Sequence, residues 1–320
     1  MNDTPPKTPA SLTNVAGVSD IASSDWLEST NPTLPGFNPT DLETVRELPL
    51  SNRVQRAVEL LKAHEPPEGY YLGYSGGKDS DAIKKLAQLS GVKFEAWYNQ
   101  TTIDPPEVVR HVKTQPDVKW NIPAMPMMTR VATAPKVPPT RSGRWCCEEY
   151  KEAGGNGRVV VLGTRAAESP RRKHNWREVA MDIRRNKAIC PIVYWSDEQV
   201  WEFIRGYGVK YCSLYDEGFT RLGCVDCPLA SNENRARERA RWPRMAENWR
   251  KAIIANWQNW KDVPNTKTGE PRYHAKFKTG EDFYQRWLTA KAPDYFREDC
   301  QSGLLWTNEP ESAPDVLSNK

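Results

Sequence analysis

The sequence predicts an α/β fold with a doubly wound, mainly parallel sheet, followed by a mostly helical C-terminal region. Three observations predict it. From about residue 51, short apolar runs alternate with segments of helical periodicity. The run "RVVVLGTR" from Arg158 is apolar enough for a strand covered on both faces. A glycine turn, Ser75-Gly76-Gly77-Lys78-Asp79-Ser80, joins a strand to a helix at the end of the sheet where ligands of such folds bind.

The elements follow in order. Residues 1–45 are rich in Pro, Ser, Thr and Asn without an apolar period, and are expected to form a flexible arm. "LSNRVQRAVELLKAHEP" places Val54, Ala57, Val58 and Leu61 at helical spacing, with Ser51 or Asn52 as cap and Pro66 as stop. A strand near Tyr70 to Tyr74 leads through the glycine turn into a helix with Ala82, Ile83, Leu86 and Leu89 on one side. "VKFEAWYNQ" alternates as a second strand. "DPPEVVRHVKTQ" opens with prolines suited to a first helical turn, and "VKWNIP" is a third strand before the fourth at Arg158. "DEQVWEFIRGYGV" reads as a helix with Val200, Phe203 and Ile204 inward. Helix is expected from Asn232 to Trp260, loop over 263–281, and a last short helix in "EDFYQRWLTA". The expected organisation is therefore an arm (1–45), an α/β domain (46–231), a helical Arg/Trp-rich region (232–306) and a loose tail (307–320).

Composition narrows the class. Of 320 residues, 38% are hydrophobic and 27% charged, and no apolar stretch approaches membrane-spanning length, so no membrane partner is expected. The net charge of +4 is too mild to argue by itself for nucleic acid. Seven cysteines without a secretory leader point to a reducing compartment, the cytoplasm, where clustered thiols bind metal or do redox work.

The glycine turn has the chemistry of an anion nest. Two glycines let backbone N–H groups converge, and the next helix presents its positive end. Lys78 adds a full charge, Ser75 and Ser80 supply hydroxyls, and Asp79 complements the dipole or holds a cation. The longer P-loop pattern is absent.

S-G-G-K-D-S after a strand resembles the PP-loop of the adenine-nucleotide alpha-hydrolase superfamily, which implies binding of an adenine nucleotide at Ser75, Gly76, Gly77, Lys78, Asp79 and Ser80. Four further stretches, "NQTTIDPPEVVRHV", "VLGTRAAESPRR", "PIVYWSDEQVWEFI" and "LYDEGFTRLGCVDCPLAS", resemble in order the segments of the phosphoadenosine phosphosulfate (PAPS) reductase family. Arg165, just beyond the apolar strand, is positioned to grip a phosphate or sulfate, with Arg171, Arg172 and Lys173 extending the positive field or forming a solvated charge run.

The cysteines form two pairs, Cys146-Cys147 and Cys224-x-x-Cys227. C-x-x-C is a common half-site for iron or zinc. In the resembled family such a set implies a [4Fe–4S] cluster in the iron–sulfur-bearing branch; a zinc site and four unligated thiols are the other readings. Cys190 and Cys212 sit in contexts suited to small buried residues. Cys300, in "REDCQSGLLW", stands where the resemblance places a nucleophile, within a segment like E-C-G-L-H, although the spacing differs and the histidine is missing.

From Asn232 to Asp262 eight Lys/Arg face four Asp/Glu, with Trp242, Trp249, Trp257 and Trp260 interleaved. That pattern suits single-stranded nucleic acid. It equally suits a helix laid over the cysteine site, with Trp249 and Ile253 inward and the arginines in solvent. Three functions follow. The resemblance implies an enzyme that reduces adenylyl sulfate or PAPS to sulfite, with Lys78 and Cys300 catalytic and a thioredoxin-like dithiol as reductant. The second is an ATP pyrophosphatase-type sulfur transferase using Mg²⁺ and acting on nucleic acid. The third is a non-catalytic nucleotide-binding partner.

Overall fold

The structure is a computed structural model that describes residues 47–169, 172–173, 176–182 and 185–291, with Val45 and Pro293 besides. Residues 1–44 of the expected arm and the whole expected tail lie outside these residues, as do Arg171 and Cys300. In chain order the elements are α1 (Leu50–Ala63), β1 (Tyr70–Gly73), α2 (Lys78–Ser90), β2 (Phe94–Asn99), α3 (Pro106–Lys113), β3 (Val118–Asn121), α4 (Met127–Thr133), β4 (Val160–Val161), β5 (Val179–Met181), β6 (Lys187–Ile189), α5 (Asp197–Gly206), α6 (Asn232–Arg241), α7 (Pro243–Trp260) and α8 (Gly280–Thr289). A single π-turn, Cys147–Lys151, precedes β4.

The chain divides into two compact units. The first takes the described residues through Tyr98, with Pro106–Trp120 and Gly154–Leu222. The second takes Asn99–Pro105, Asn121–Ala153 and the residues from Gly223 onward. The partition crosses the expected boundary near residue 231, because the segments carrying both cysteine pairs pack with the C-terminal helices.

The first unit is built on a six-stranded sheet of order β3-β2-β1-β4-β6-β5. Leu72 of β1 lies opposite Ala96 of β2 on one side and Val161 of β4 on the other, both pairings parallel. β4 continues parallel to β6, and β5 closes the edge antiparallel to β6. The chain therefore grows outward from β1 through β2 to β3, then crosses to the other side of β1 for β4. The point where strand order reverses lies at the carboxyl end of β1, where the glycine turn begins. Tyr70, Leu72, Val161 and Ile189 are fully buried, as a sheet covered on both faces requires.

The helices bury most of their expected stripes: Val54, Ala57, Val58 and Leu61 on α1, and Ala82, Ile83 and Leu86 on α2, where Leu89 is only half-buried. Gly91 ends α2 in the left-handed region (φ 72°). Ser196 and Gln199 cap α5 reciprocally, and Val200, Phe203 and Ile204 point inward. The β5–β6 hairpin was not expected; its three-residue strands are too short to show a period.

The second unit packs α4, α7 and α8 around Met127, Val131, Trp249, Ile253 and Phe283. The expected continuous helix over 232–260 is two helices. Pro243 starts α7, and its ring and missing N–H forbid continuation from α6. Within the expected loop, His274 is buried in a 3₁₀ turn, and its Nε2 meets Asn256 Oδ1 at 2.7 Å. Asn256 in turn donates to the carbonyls of Val131 and Ala134 at 2.8 and 2.9 Å, tying α7 to the end of α4. Among the described residues no helix is long and apolar enough to cross a membrane.

Candidate functional site

The glycine turn is shaped by what its residues lack. Gly76 has φ 71°, and a Cβ there would lie 2.8 Å from Val112 Cγ2 and 3.0 Å from Val108 Cγ1 of α3. Only glycine meets both the dihedral and the space. Gly163, just past β4, would place a Cβ 3.1 Å from the Asp79 backbone, so its bare Cα lets that strand end approach the start of α2. Two residues later Arg165 reaches the turn.

What results is a compact charge network. Lys78 is 3% exposed and Arg165 is 4% exposed, both far below the usual exposure of cations. Lys78 Nζ stands 2.9 Å from Asp197 Oδ1 and 3.5 Å from Asp79 Oδ2. Arg165 donates from Nε to Asp79 Oδ1 at 2.6 Å and from Nη2 to Asp197 Oδ1 at 2.8 Å. Two cations thus share two carboxylates. Burial works against the Asp197 charge, yet Lys78 and Arg165 outweigh it and hold the carboxyl below its ordinary range. For Arg165, burial opposes the charge, and Asp79, with Glu168 and Asp197, more than restores it.

The serines close the loop: Ser80 Oγ donates to the Gly77 carbonyl at 2.7 Å, and Ser75 Oγ to Ser80 Oγ at 3.3 Å. Lys78 N–H, in the first turn of α2, donates to Tyr215 Oη at 3.0 Å. Behind the turn, Tyr74 donates to Asp81, whose carboxylate also meets His111 Nε2 at 3.0 and 3.1 Å. All three side chains are buried, and burial holds the Asp81 carboxyl above its ordinary range. This trio pins α2 to α3 beneath the loop.

The structure brings Lys78 and Arg165, both expected at the anion site, onto the same two carboxylates; sequence reasoning missed Asp197, Tyr215 and the buried trio. Asp197 and Tyr215 lie inside motifs already quoted, "WSDEQ" and "LYDEGF"; nothing in one sequence says that they converge on Lys78. Arg172 is half-buried and pairs with Glu168, one turn away, and Lys173 is exposed.

The four paired cysteines are half-buried and all fall in the second unit. Cys147 opens the π-turn directly after Cys146. The turn between Cys224 and Cys227 is held at Val225, whose N–H donates to Ile103 O and whose carbonyl accepts from Trp249 Nε1, both at 2.9 Å. Asp226 within it adopts φ 56° and is fully buried, bonded at 2.8 Å by both Arg235 and Arg239. Arg235 is itself buried and departs from the expectation that the arginines of this region lie in solvent, whereas Arg237, Arg241 and Arg244 are exposed. Trp242 and Trp249 are buried as well and present no ring for a base to stack on.

The thiols act on one another. Cys146 hydrogen-bonds to Cys147 and feels Cys224 and Cys227; the bond and burial push its pKa up. Cys147 is drawn down to about 5, chiefly by the bond from Cys146 and then by Arg144 and Lys151 against the cost of burial. Burial pushes Cys224 up to about 12. Lys151 is raised above its ordinary range first by Cys224, against burial, with Asp104, Cys227 and Cys147 adding to it. Among the described residues no three His, Cys, Asp or Glu side chains are set to hold a single metal ion. Cys190 and Cys212 are buried, as expected.

The profile of the phosphoadenosine phosphosulfate reductase domain family matches residues 69–230. The adenosine 5'-phosphosulfate reductase of Staphylococcus saprophyticus is 24% identical over 233 residues, which cover 68% of this chain and 93% of that protein. The protein of the same name from Staphylococcus epidermidis is 35% identical over 86 residues, 26% of this chain, and the match spans only 34% of that relative's length. Among solved structures, the phosphate complex of phosphoadenylyl-sulfate (PAPS) reductase from Candida auris aligns with a TM-score of 0.41 at 16% identity, covering 55% of this chain and 93% of that one.

Proposed function

The chain belongs to the phosphoadenosine phosphosulfate reductase domain family, and from that premise we propose that it binds adenylyl sulfate or PAPS at the glycine turn and reduces the activated sulfate to sulfite. The observation that carries the reading is the pair of buried cations, Lys78 and Arg165, beside the amide-rich start of α2. Buried cations of this kind act on charge far more strongly than exposed ones.

In this reading the Cys300 thiolate attacks the sulfate sulfur. The bond from sulfur to the phosphate-bridging oxygen breaks, and its electron pair leaves on the nucleotide phosphate, where Lys78 and Arg165 meet the developing charge. A thioredoxin-like dithiol then attacks Cys300 Sγ and expels sulfite with the sulfur–sulfur electron pair. Its second thiol closes the disulfide, so sulfate loses one oxygen to the nucleotide while two thiols are oxidised.

Cys146, Cys147, Cys224 and Cys227 would hold the [4Fe–4S] cluster. Four sulfur donors, two backbone-anchored turns and the nearby Lys151 fit a thiolate-held centre. Such a cluster, when bound, supplies redox-active iron.

One observation favours the second reading, the Mg²⁺- and ATP-dependent sulfur transferase: Asp79 and Asp197 stand together at the same two cations, a carboxylate pair of the kind that takes Mg²⁺. A parallel assay separates the two. Sulfite release from adenylyl sulfate or PAPS with a dithiol, abolished in Cys300→Ser, supports the reductase. Pyrophosphate release from ATP·Mg²⁺ with nucleic acid, and no sulfite, supports the transferase.

A further inference from the structure

Tyr215 lies 137 positions from Lys78 in sequence, yet its phenol oxygen sits on the first turn of α2, accepting the Lys78 N–H at 3.0 Å. The approach depends on Gly77: a Cβ there would lie 3.3 Å from the same oxygen. The ring is braced edge-on by Trp201, with centroids 5.1 Å apart, and by Tyr211 at 6.3 Å. Lys78 Nζ stands 5.7 Å from its centroid, within cation–π range. The side chain is half-buried, so it is both fixed and reachable.

A phenol carries one hydrogen to donate and two lone pairs to accept with. Here one lone pair is committed to Lys78 N–H, and among the described residues no acceptor takes the hydrogen. Burial, with Asp79 and Asp81 nearby, keeps the phenol protonated through the neutral range. A phenol polarised by a helix N-terminal amide, with its own hydrogen uncommitted, is a stronger donor than a free one.

We infer that Tyr215 is a binding residue of the anion site: it holds the Lys78 amide and donates its own hydrogen to a terminal oxygen of the phosphate or sulfate group. It extends the polarity of α2 outward by one hydroxyl. A donor in that place favours fully ionised terminal oxygens over a protonated or neutral group. The inference rests on the reading that the glycine turn binds an oxyanion.

The test is calorimetric titration of the full-length protein with adenylyl sulfate and with inorganic phosphate, comparing wild type and Tyr215→Phe at fixed ionic strength. Tyr215→Phe keeps the ring and its aromatic contacts, and a melting temperature without ligand equal to wild type within about 2 °C checks the fold. Loss of one charge-assisted hydrogen bond predicts roughly tenfold or weaker binding of both anions. Replacing Tyr215 by 3-fluorotyrosine, a more acidic phenol, predicts tighter binding, which a packing role would not produce. Equal affinity in wild type and Tyr215→Phe overturns the role of Tyr215 alone. Weaker binding in both variants assigns the effect to packing and likewise overturns it. Failure of the wild type to bind either anion overturns the oxyanion reading, and this inference with it.

Discussion

Replacing Gly76 by alanine tests the geometry of the turn, and the structure contains its own control. Gly76 and Gly91 have nearly the same dihedral, φ 71° and 72°, at opposite ends of α2. A side chain in that region costs about 1–2 kcal/mol at either position. At Gly91 nothing lies within 4 Å of the added Cβ, so the cost ends there. At Gly76 the Cβ would enter 2.8 Å from Val112 and 3.0 Å from Val108, side chains buried in α3 with little room to yield. Overpacking of that kind adds about 1–3 kcal/mol. Gly76→Ala should therefore lower the melting temperature by roughly 4–20 °C and Gly91→Ala by roughly 2–8 °C, at about 2–4 °C per kcal/mol for a unit of this size. Differential scanning calorimetry reads both. A Gly76→Ala protein no less stable than Gly91→Ala would refute the claim that this turn is moulded against α3.

Three further outcomes are expected. Asp197→Asn removes the carboxylate that both Lys78 and Arg165 contact, so inorganic phosphate should bind several-fold more tightly by calorimetry; weaker binding would mean that Asp197 positions the cations rather than competing with the anion. His274, 2% exposed, is kept neutral by burial and by Arg272, its pKa lowered to about 4 from the 6.5 of a free histidine, and its buried Nδ1 has no acceptor for a second proton. The unfolded chain then takes up that proton first as pH falls, so stability should drop by about 3 kcal/mol between pH 6.5 and 4, and the drop should flatten in His274→Gln, as followed by urea unfolding across pH. Cys146→Ser and Cys224→Ser, purified without oxygen, should each lose most of the iron and labile sulfide found in the wild type; a colourless wild type with neither would remove the cluster from the account.

Much of this was legible in the sequence, and the remainder was hidden for identifiable reasons. Periodicity located α1, α2, α5 and the strands from β1 to β3, because each repeats its apolar residues over at least one full turn or pleat. It did not find β5 and β6, at three residues each, or α4, at seven. The anion-binding half of the site was visible because Gly76, Gly77 and Lys78 are contiguous. The residues that meet it from elsewhere were not, since Asp197 arrives from the capped start of α5 and the neutral phenol of Tyr215 from a 3₁₀ turn beyond it. Basic and aromatic residues over 232–262 left two readings open in composition. Burial decides for packing at Trp249 and Arg235, whose partners, Val225 and Asp226, lie inside the C-x-x-C turn.

Lys78 is the residue on which binding at the glycine turn most directly depends. Titrating adenylyl sulfate into the wild type and into Lys78→Ala measures it. Removing a buried cation from the anion's contact set should weaken binding by about a hundredfold or more, while the melting temperature confirms that the protein remains folded. A folded Lys78→Ala protein that binds adenylyl sulfate as tightly as the wild type would place the nucleotide somewhere other than the glycine turn.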